Sequence, residues 1–369
     1  MRVSLLITDL NRGGAPLRIA RLARGLRDAG HHVSVGCLAE LGPVGGDLRD
    51  AGFDVFAAGA RSVLSFGVFG RLERALRDRS PHIIHSTLVH ANFAARVVGR
   101  RMKTPVITST ATVEVERRWH ALVERWTRKW DCGHIVNSRV LADHVIRAFG
   151  RDPRRVFVVP PSAEMVAPPS RDEARRALGL PLDAFVIAWA GRLDPVKRVD
   201  MLIDAFDRIA GKPGGSGARL LIAGEGADRA RIERRLTASP FANQISMLGW
   251  MTDVARVFAA ADCVAIPSRT EGMPNVVLEA MAIGVPVIAS PLPVMCELAG
   301  PADAPRLLLM GDGTAAALTS AIERVRANRD EASEAADRAS HWVRTELSVE
   351  ETTRATLRAY ERCLEGKTA

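Results

Sequence analysis

The sequence predicts an α/β protein of two doubly wound, Rossmann-like domains that face each other across a cleft. Three observations predict it. Short apolar runs alternate with amphipathic stretches over the whole 369 residues, the pattern of buried parallel strands joined by helices. The alternation is interrupted once, at Pro160-Pro161-Ser162 and Pro168-Pro169, and then restarts. Proline stiffens a chain and stops helices, so this segment reads as an interdomain linker. Segments rich in glycine and charge recur where strands give way to helices, which is where open α/β sheets bind ligands.

Residues 3–8 are the first predicted strand, followed by the loop Asp9-Leu-Asn-Arg-Gly-Gly-Ala. Pro16 suits a first helical position, where its missing N–H is not needed. Leu17, Ala20 and Leu26 then supply an apolar face, and Gly30 stops the helix. Strands follow at 33–38, 55–57, 83–84, 105–108, 135–136 and 156–159, with helices at 47–51, 71–78 and between the later strands. Beyond the linker, strands are expected at 185–190, 220–223, 245–248, 263–266 and 285–289. The polar run Lys212-Pro-Gly-Gly-Ser-Gly is a surface connection. The linker divides the chain into a first domain over 1–163 and a second beginning at 164.

With 47% hydrophobic and 25% charged residues, the chain is globular rather than disordered or fibrous. The apolar start is cut short by Asp9, too early for a signal peptide. The most apolar later run, 280–290, is broken by Gly284 and Pro286, below the ~18 residues of a membrane helix. A cytoplasmic location is expected. Cys37, Cys132, Cys263, Cys296 and Cys363 show no paired spacing, which fits reduced thiols packed as small hydrophobes rather than disulfides or metal ligands. The net charge of +9 favours anionic partners. Nucleic acid is disfavoured, because no groove-reading motif appears and the single Tyr offers no stacking platform. An anionic ligand or an anionic membrane surface remains.

Two motifs carry the chemistry. Glu271-Gly-Met-Pro-Asn-Val-Val-Leu-Glu279 follows the strand that ends at Pro267-Ser268. Pro274 can open the next helix, Gly272 lets backbone approach a ligand closely, and the helix N-terminal amides favour phosphate oxygens. Glu271 precedes the helix, placed to accept from sugar hydroxyls, and Glu279 lies within it, placed to grip both hydroxyls of a ribose. Met273 and Asn275 complete the helix start. The second motif, Gly191-Arg192-Leu193-Asp194-Pro195-Val196-Lys197, leaves the strand Ala188-Trp-Ala. A guanidinium can hold two phosphate oxygens and an ammonium adds a compact charge. Cations, carboxylates and a glycine-rich helix start at one sheet edge are what a diphosphate joined to a ribose and a sugar requires. Each motif also has a bland reading, a glutamate on a solvated helix face or a basic loop.

The pair resembles the donor-binding motifs of retaining glycosyltransferases of family four (glycosyl transferases group 1), which have the two-domain GT-B architecture, and the resemblance runs over nearly the whole chain. It implies transfer of a sugar from a nucleotide-sugar donor to an acceptor hydroxyl with retained configuration, the departing phosphate helping to deprotonate the acceptor. Arg192, Lys197 and Glu271 become the catalytic candidates. Gly13, Gly14, Gly191, Trp250, Met251, Gly272, Met273, Pro274, Asn275 and Glu279 become the donor-binding ones. Residues 1–163 are then the acceptor domain and 164–348 the donor domain, with a final helix at 349–364, in the segment 349–369, returning to the first.

Within that resemblance, Asn11-Arg-Gly13-Gly14-Ala15 matches the family's first loop, but Pro16 stands where relatives carry glutamate. Leu248-Gly249-Trp250-Met251 resembles a segment whose backbone contacts the base; Trp250 either stacks there or packs in the core. His85 and His90, in His85-Ser-Thr-Leu-Val-His90, are candidate sugar or acceptor contacts, and the loop Thr108-Ser-Thr-Ala-Thr-Val113 lacks the family's histidine. Near the linker, Pro161-Ser162-Ala163 stands where the family has Asn-Gly. No Asp-x-Asp motif and no Cys/His cluster is present, so neither metal nor cofactor is expected. The rival reading is a non-catalytic nucleotide-sugar-binding or scaffold protein, which intact Arg192, Lys197, Glu271 and Glu279 disfavour; an epimerase of the same fold is disfavoured because the motifs match transferases.

Glu116-Arg-Arg-Trp119-His-Ala-Leu122-Val123-Glu-Arg-Trp126-Thr-Arg-Lys-Trp130 combines apolar residues at helical spacing with many cations. Such a helix can lie on an anionic membrane or pack its apolar side into the core, and the core is expected for that side. The partners expected are therefore a nucleotide-sugar, an acceptor glycan or lipid-linked sugar of the cell envelope, and an anionic membrane surface on the cytoplasmic side.

Overall fold

A computed structural model describes residues 1–60, 67–111, 118–163 and 167–365. Val113, Glu116 and Arg117, named above, and residues 366–369 of the expected C-terminal segment lie outside the described residues. The chain divides into two units, 1–162 with 347–369, and 163–346.

The first unit is a seven-stranded sheet of order β3-β2-β1-β4-β5-β6-β7, every pairing parallel. Its strands are β1 (Arg2–Ile7), β2 (His32–Cys37), β3 (Asp54–Ala57), β4 (Ile83–Thr87), β5 (Val106–Thr110), β6 (Gly133–Val136) and β7 (Val156–Val158). Its helices are α1 (Gly14–Asp28), α2 (Pro43–Asp50), α3 (Val68–Arg79), α4 (Val89–Met102), α5 (Arg118–Thr127) and α6 (Arg139–Phe149). Val3 sits opposite Val33 and Ile83. Alternate residues of β1 face opposite sides, as the two-residue strand period demands. Leu5 and Ile7 pack with Ile19, Ala23 and Leu26 of α1, whereas Leu6 packs with Leu72 and Leu76 of α3 and Ala94 and Val98 of α4. Helix α1 begins two residues before Pro16, and α2 four residues before Asp47; the start of α2 is tied to the first loop by Val44 N–H donating to Leu10 C=O.

The second unit has six parallel strands in the order β10-β9-β8-β11-β12-β13. They are β8 (Phe185–Ala190), β9 (Ala218–Ala223), β10 (Ile245–Gly249), β11 (Cys263–Ile266), β12 (Val287–Ala289) and the short β13 (Leu308–Leu309), the last within the short apolar run Leu307-Leu-Leu-Met310, which the sequence reading missed. Helices α7 (Arg171–Ala177), α8 (Val199–Ala210), α9 (Arg229–Thr237), α10 (Val254–Ala259), α11 (Asn275–Ile283), α12 (Pro293–Ala299), α13 (Ala315–Ala327) and α14 (Arg329–Glu346) cover it. Every residue of β8 is buried, as a central parallel strand requires.

The last helix, α15 (Val349–Glu365), is part of the first unit's core through Ala359, Tyr360 and Cys363. Thr352 Oγ1 donates to Pro160 C=O at 3.1 Å. The Tyr360 hydroxyl lies 2.7 Å from His85 Nδ1. Burial pushes the His85 pKa down to about 4. Burial, then the cations of Arg151 and Arg96, hold His134 of β6 well below its ordinary value. Both imidazoles are thus neutral when folded, while the unfolded chain takes up their protons near pH 6.5. The unfolded state binds more protons between pH 6.5 and about 4, so stability is lost as pH falls through that window. For His85 alone the loss should approach ~3 kcal/mol. Urea midpoints measured from pH 7.5 to 4 should fall over this range; a flat profile would contradict the assignment.

Candidate active site

In the second unit the chain changes winding direction between β8 and β11, and ligands of doubly wound sheets bind at the carboxyl ends beside such a point. The loops after β8, β9 and β10 are stitched together there. Gly191 N–H donates to Ala223 C=O at 3.0 Å, Leu193 N–H to Glu225 C=O at 2.9 Å, and Gly224 N–H to Gly249 C=O at 2.7 Å. A side chain on Gly224 would meet Gly191 O at 1.8 Å, and one on Gly226 would meet Leu193 O at 2.1 Å. Gly191 and Gly224, at φ 155° and 150°, take a backbone shape that only glycine adopts readily. The sequence reading missed Gly224-Glu225-Gly226; its signal was a second glycine pair at a strand end.

Lys197 and Glu271 meet across the switch point. Asp194 accepts from Val196 N–H at 3.1 Å and caps the single turn Pro195–Lys197, which aims Lys197. Arg269 N–H donates to Val196 C=O at 2.8 Å, tying the loop after β11 to the loop after β8. Lys197 Nζ then donates to both oxygens of Glu271, at 2.7 and 2.8 Å, and Ser268 Oγ donates to Oε1 at 2.7 Å. The Glu271 side chain is 7% exposed. Arg192 differs: its side chain is 75% exposed and only 3.5 Å ion-paired to Asp194, leaving the guanidinium able to swing toward an anion.

Pro274 caps α11 rather than opening its first turn, so the helix begins at Asn275. Gly272 is half-buried and Met273 buried under that start. Half-buried Glu279 follows one turn inside the helix. At the end of β10, Trp250 is 53% exposed, outside the core, with Met251 half-buried beside it. All the second-unit candidates therefore lie at the carboxyl edge of one sheet or on the helix that leaves it.

In the first unit, Gly13 and Gly14 form the start of α1 after β1. His90, in the first turn of α4, is half-buried, its ring edge-on to Trp119 at 5.7 Å and His120 at 5.5 Å. Leu88, just before α4, has φ 76° and ψ 147°, a strained shape for a branched residue. It lies beside the β1/β4 switch point, where strain is characteristic of binding edges. His85 requires a correction as a ligand contact. It lies within β4, fully enclosed and bonded to Tyr360, because the strand runs three residues beyond the apolar pair 83–84.

A buried charge network was also missed. Arg96 of α4 donates to Asp131 at 2.7 Å and Glu124 at 2.6 Å. Arg151 donates to Asp131 at 2.9 and 3.0 Å and to Glu124 at 3.2 Å. Thr108 Oγ1 donates to Asp131 at 3.0 Å. The four charges balance, and each side chain is 3% exposed or less. Sequence separations of 20 to 35 between the paired cations and carboxylates hide it; Arg96 inside the apolar run Ala94-Ala-Arg-Val-Val was the available clue.

Two doubly wound units, one with a cation–carboxylate cluster and a helix start at its switch point, define a two-domain α/β protein of the GT-B class. Residues 184–328 match the family model "Glycosyl transferases group 1", and residues 13–162 match the "Glycosyl transferase 4-like domain". The chain belongs to this glycosyltransferase family. It is similar to D-inositol 3-phosphate glycosyltransferase of Mycobacterium tuberculosis (strain ATCC 25618 / H37Rv), 38% identical over 169 residues, 42% of this chain and 33% of the relative. The chain spans about a third of the length of the curated relatives it matches. Among solved structures it is similar to Anabaena HepE in complex with UDP, with TM-score 0.86 and 19% identity over 98% of this chain and 100% of that one. It is also similar to sucrose-phosphate synthase from Thermosynechococcus elongatus, with TM-score 0.82 and 20% identity over 99% and 100%. These likenesses carry the GT-B fold.

Proposed function

We propose that the protein is a retaining glycosyltransferase that moves a sugar from a nucleotide-sugar donor to an acceptor hydroxyl, without a metal, in the synthesis of a cell-envelope glycan or glycolipid. The observation that carries this reading is the Lys197–Glu271–Ser268 cluster at the switch point of the second unit. The relative named for glycosyl transfer and the neighbour solved with UDP and with UDP-glucose support it.

In this reading Arg192 and Lys197 hold the diphosphate and neutralise the charge that builds on it as the sugar leaves. The amides opening α11 face the same phosphates. Glu271, paired with Lys197 before the donor arrives, exchanges that cation for hydroxyls of the sugar. Glu279 accepts from both ribose hydroxyls, and Trp250 and Met251 border the base. The departing phosphate oxygen takes the acceptor proton on the same face, which retains configuration. The first unit supplies the acceptor contacts, with His90 at its carboxyl edge, and Gly13 and Gly14 keep a donor-binding role.

Ribose binding is alike in ground and transition states, so Glu279→Ala should raise the donor KM about ten-fold or more with little change in kcat. A pure kcat defect would contradict the ribose role. The whole reading is tested by incubating the protein with α-configured nucleotide sugars and a lipid-linked acceptor in EDTA, and assigning the product anomer by NMR. An α-linked product is expected. A β-linked product, or transfer only after Mg²⁺ or Mn²⁺ is restored, would overturn it.

A further inference from the structure

Helix α5 is built inside out. Its buried positions are His120, Glu124 and Thr127, each at 5% exposure or less, and its outward positions are Trp119, Leu122 and Trp126, at 46%, 53% and 78%. The outward residues fall at i, i+3 and i+7, one stripe along the helix. Trp130, 39% exposed, follows in the short turn Arg128–Trp130. Water alone favours the opposite orientation. The helix cannot roll to relieve this, because Arg96 and Arg151 hold Glu124 inward and Arg96 also donates to Thr127 at 2.8 Å. The expected core packing of these tryptophans is therefore corrected: the charge network takes the inner face.

The stripe ends in positive charge. Trp130 lines a groove of about 550 Å³ together with Arg100, Lys103, Lys129, Arg154, Arg155 and Arg362. The Arg100 guanidinium lies 5.3 Å from the Trp130 ring centre. Among the described residues that line the groove the one carboxylate is Asp131, and it is committed to Arg96 and Arg151. Along α5 and the turn after it, Glu124 is the one carboxylate and it is buried.

We propose that this face of the first unit docks on an anionic lipid bilayer, the Trp119–Leu122–Trp126 stripe seating among the headgroups and the groove cations taking lipid phosphates. Tryptophan with flanking cations suits that interface. A second copy fits less well, because a two-fold contact would set these cations against their own kind. Docking stands on the α5 stripe and the basic groove; that it presents a lipid-linked acceptor rests on the proposed function.

The test is flotation of the full chain with vesicles of phosphatidylcholine, with and without phosphatidylglycerol. At least about ten-fold more protein should float with the anionic vesicles, and added salt should reduce it. The double variant Leu122→Gln, Trp126→Gln and the triple variant Arg100→Gln, Lys129→Gln, Arg155→Gln should each lose about ten-fold or more of that binding, with thermal unfolding and the thermal shift produced by a nucleotide sugar unchanged. No binding to either vesicle, or binding that both variants retain, would overturn the proposal. So would self-association without lipid that the double variant abolishes, which would assign the stripe to a second copy. A lost nucleotide-sugar shift with intact flotation would count against the proposed function and leave docking standing.

Discussion

Lys197→Ala should lower kcat/KM at least about a hundredfold while the protein stays folded. Lys197 ends a capped turn and its ammonium is held on Glu271 at 2.7 and 2.8 Å, so in the proposed reaction it waits at the site and has only to shift from the carboxylate to the diphosphate when the donor binds. Removing one preorganised contact of this kind typically costs ~2.7–4 kcal/mol in the transition state. Part of the loss should fall on Glu271, whose 7%-exposed side chain would lose the ammonium and keep the Ser268 hydroxyl as a donor. Arg192→Ala should have a smaller effect, since that side chain is 75% exposed and must be ordered by the ligand before it contributes. Steady-state kinetics on both variants check this order; near-normal rates in both would remove the diphosphate role.

The largest stability effect should come from a different place. Arg96→Met should destabilise the first unit by ~3–5 kcal/mol, because it leaves the carboxylates of Glu124 and Asp131 with Arg151 as their one remaining buried cation among the described residues. That is a large part of the ~5–15 kcal/mol that holds a typical domain together. The double variant Arg96→Met, Glu124→Leu leaves the Arg151–Asp131 pair, bonded at 2.9 and 3.0 Å, and should recover much of the loss. Urea unfolding of the two single variants and the double one gives the coupling directly. Additive losses would mean that the four charges do not act as a unit.

The legible and illegible parts of this protein differ for a physical reason. The fold was legible because parallel strands buried on both faces, such as Phe185–Ala190, leave uninterrupted apolar runs. The second-unit candidates were legible because Gly191, Arg192, Lys197, Glu271 and Glu279 sit within short segments at strand ends, where spacing along the chain is spacing in the site. Gly224 and Gly226 escaped because their role is to admit neighbouring backbone, which no side chain announces. Arg96, Glu124, Asp131 and Arg151 escaped because they meet only through tertiary packing. For the same reason α5 misled: its periodicity marked one apolar face, but only the network reveals that this face points outward. His85 misled because β4 runs beyond its two apolar residues, carrying a histidine, a serine and a threonine into the sheet.

In the proposed reaction the carboxyl edge of the second unit binds a nucleotide sugar through Lys197, Glu279 and the start of α11. The most direct measurement is thermal unfolding of wild type and Glu279→Ala with a panel of nucleotide sugars in EDTA. A ligand at a hundred times its Kd stabilises by ~2.7 kcal/mol, which should raise the wild-type Tm by roughly 5–10 °C for one nucleotide sugar; in Glu279→Ala the same concentration should give a clearly smaller rise. An unchanged Tm across the panel, or a rise that Glu279→Ala retains in full, would contradict the account.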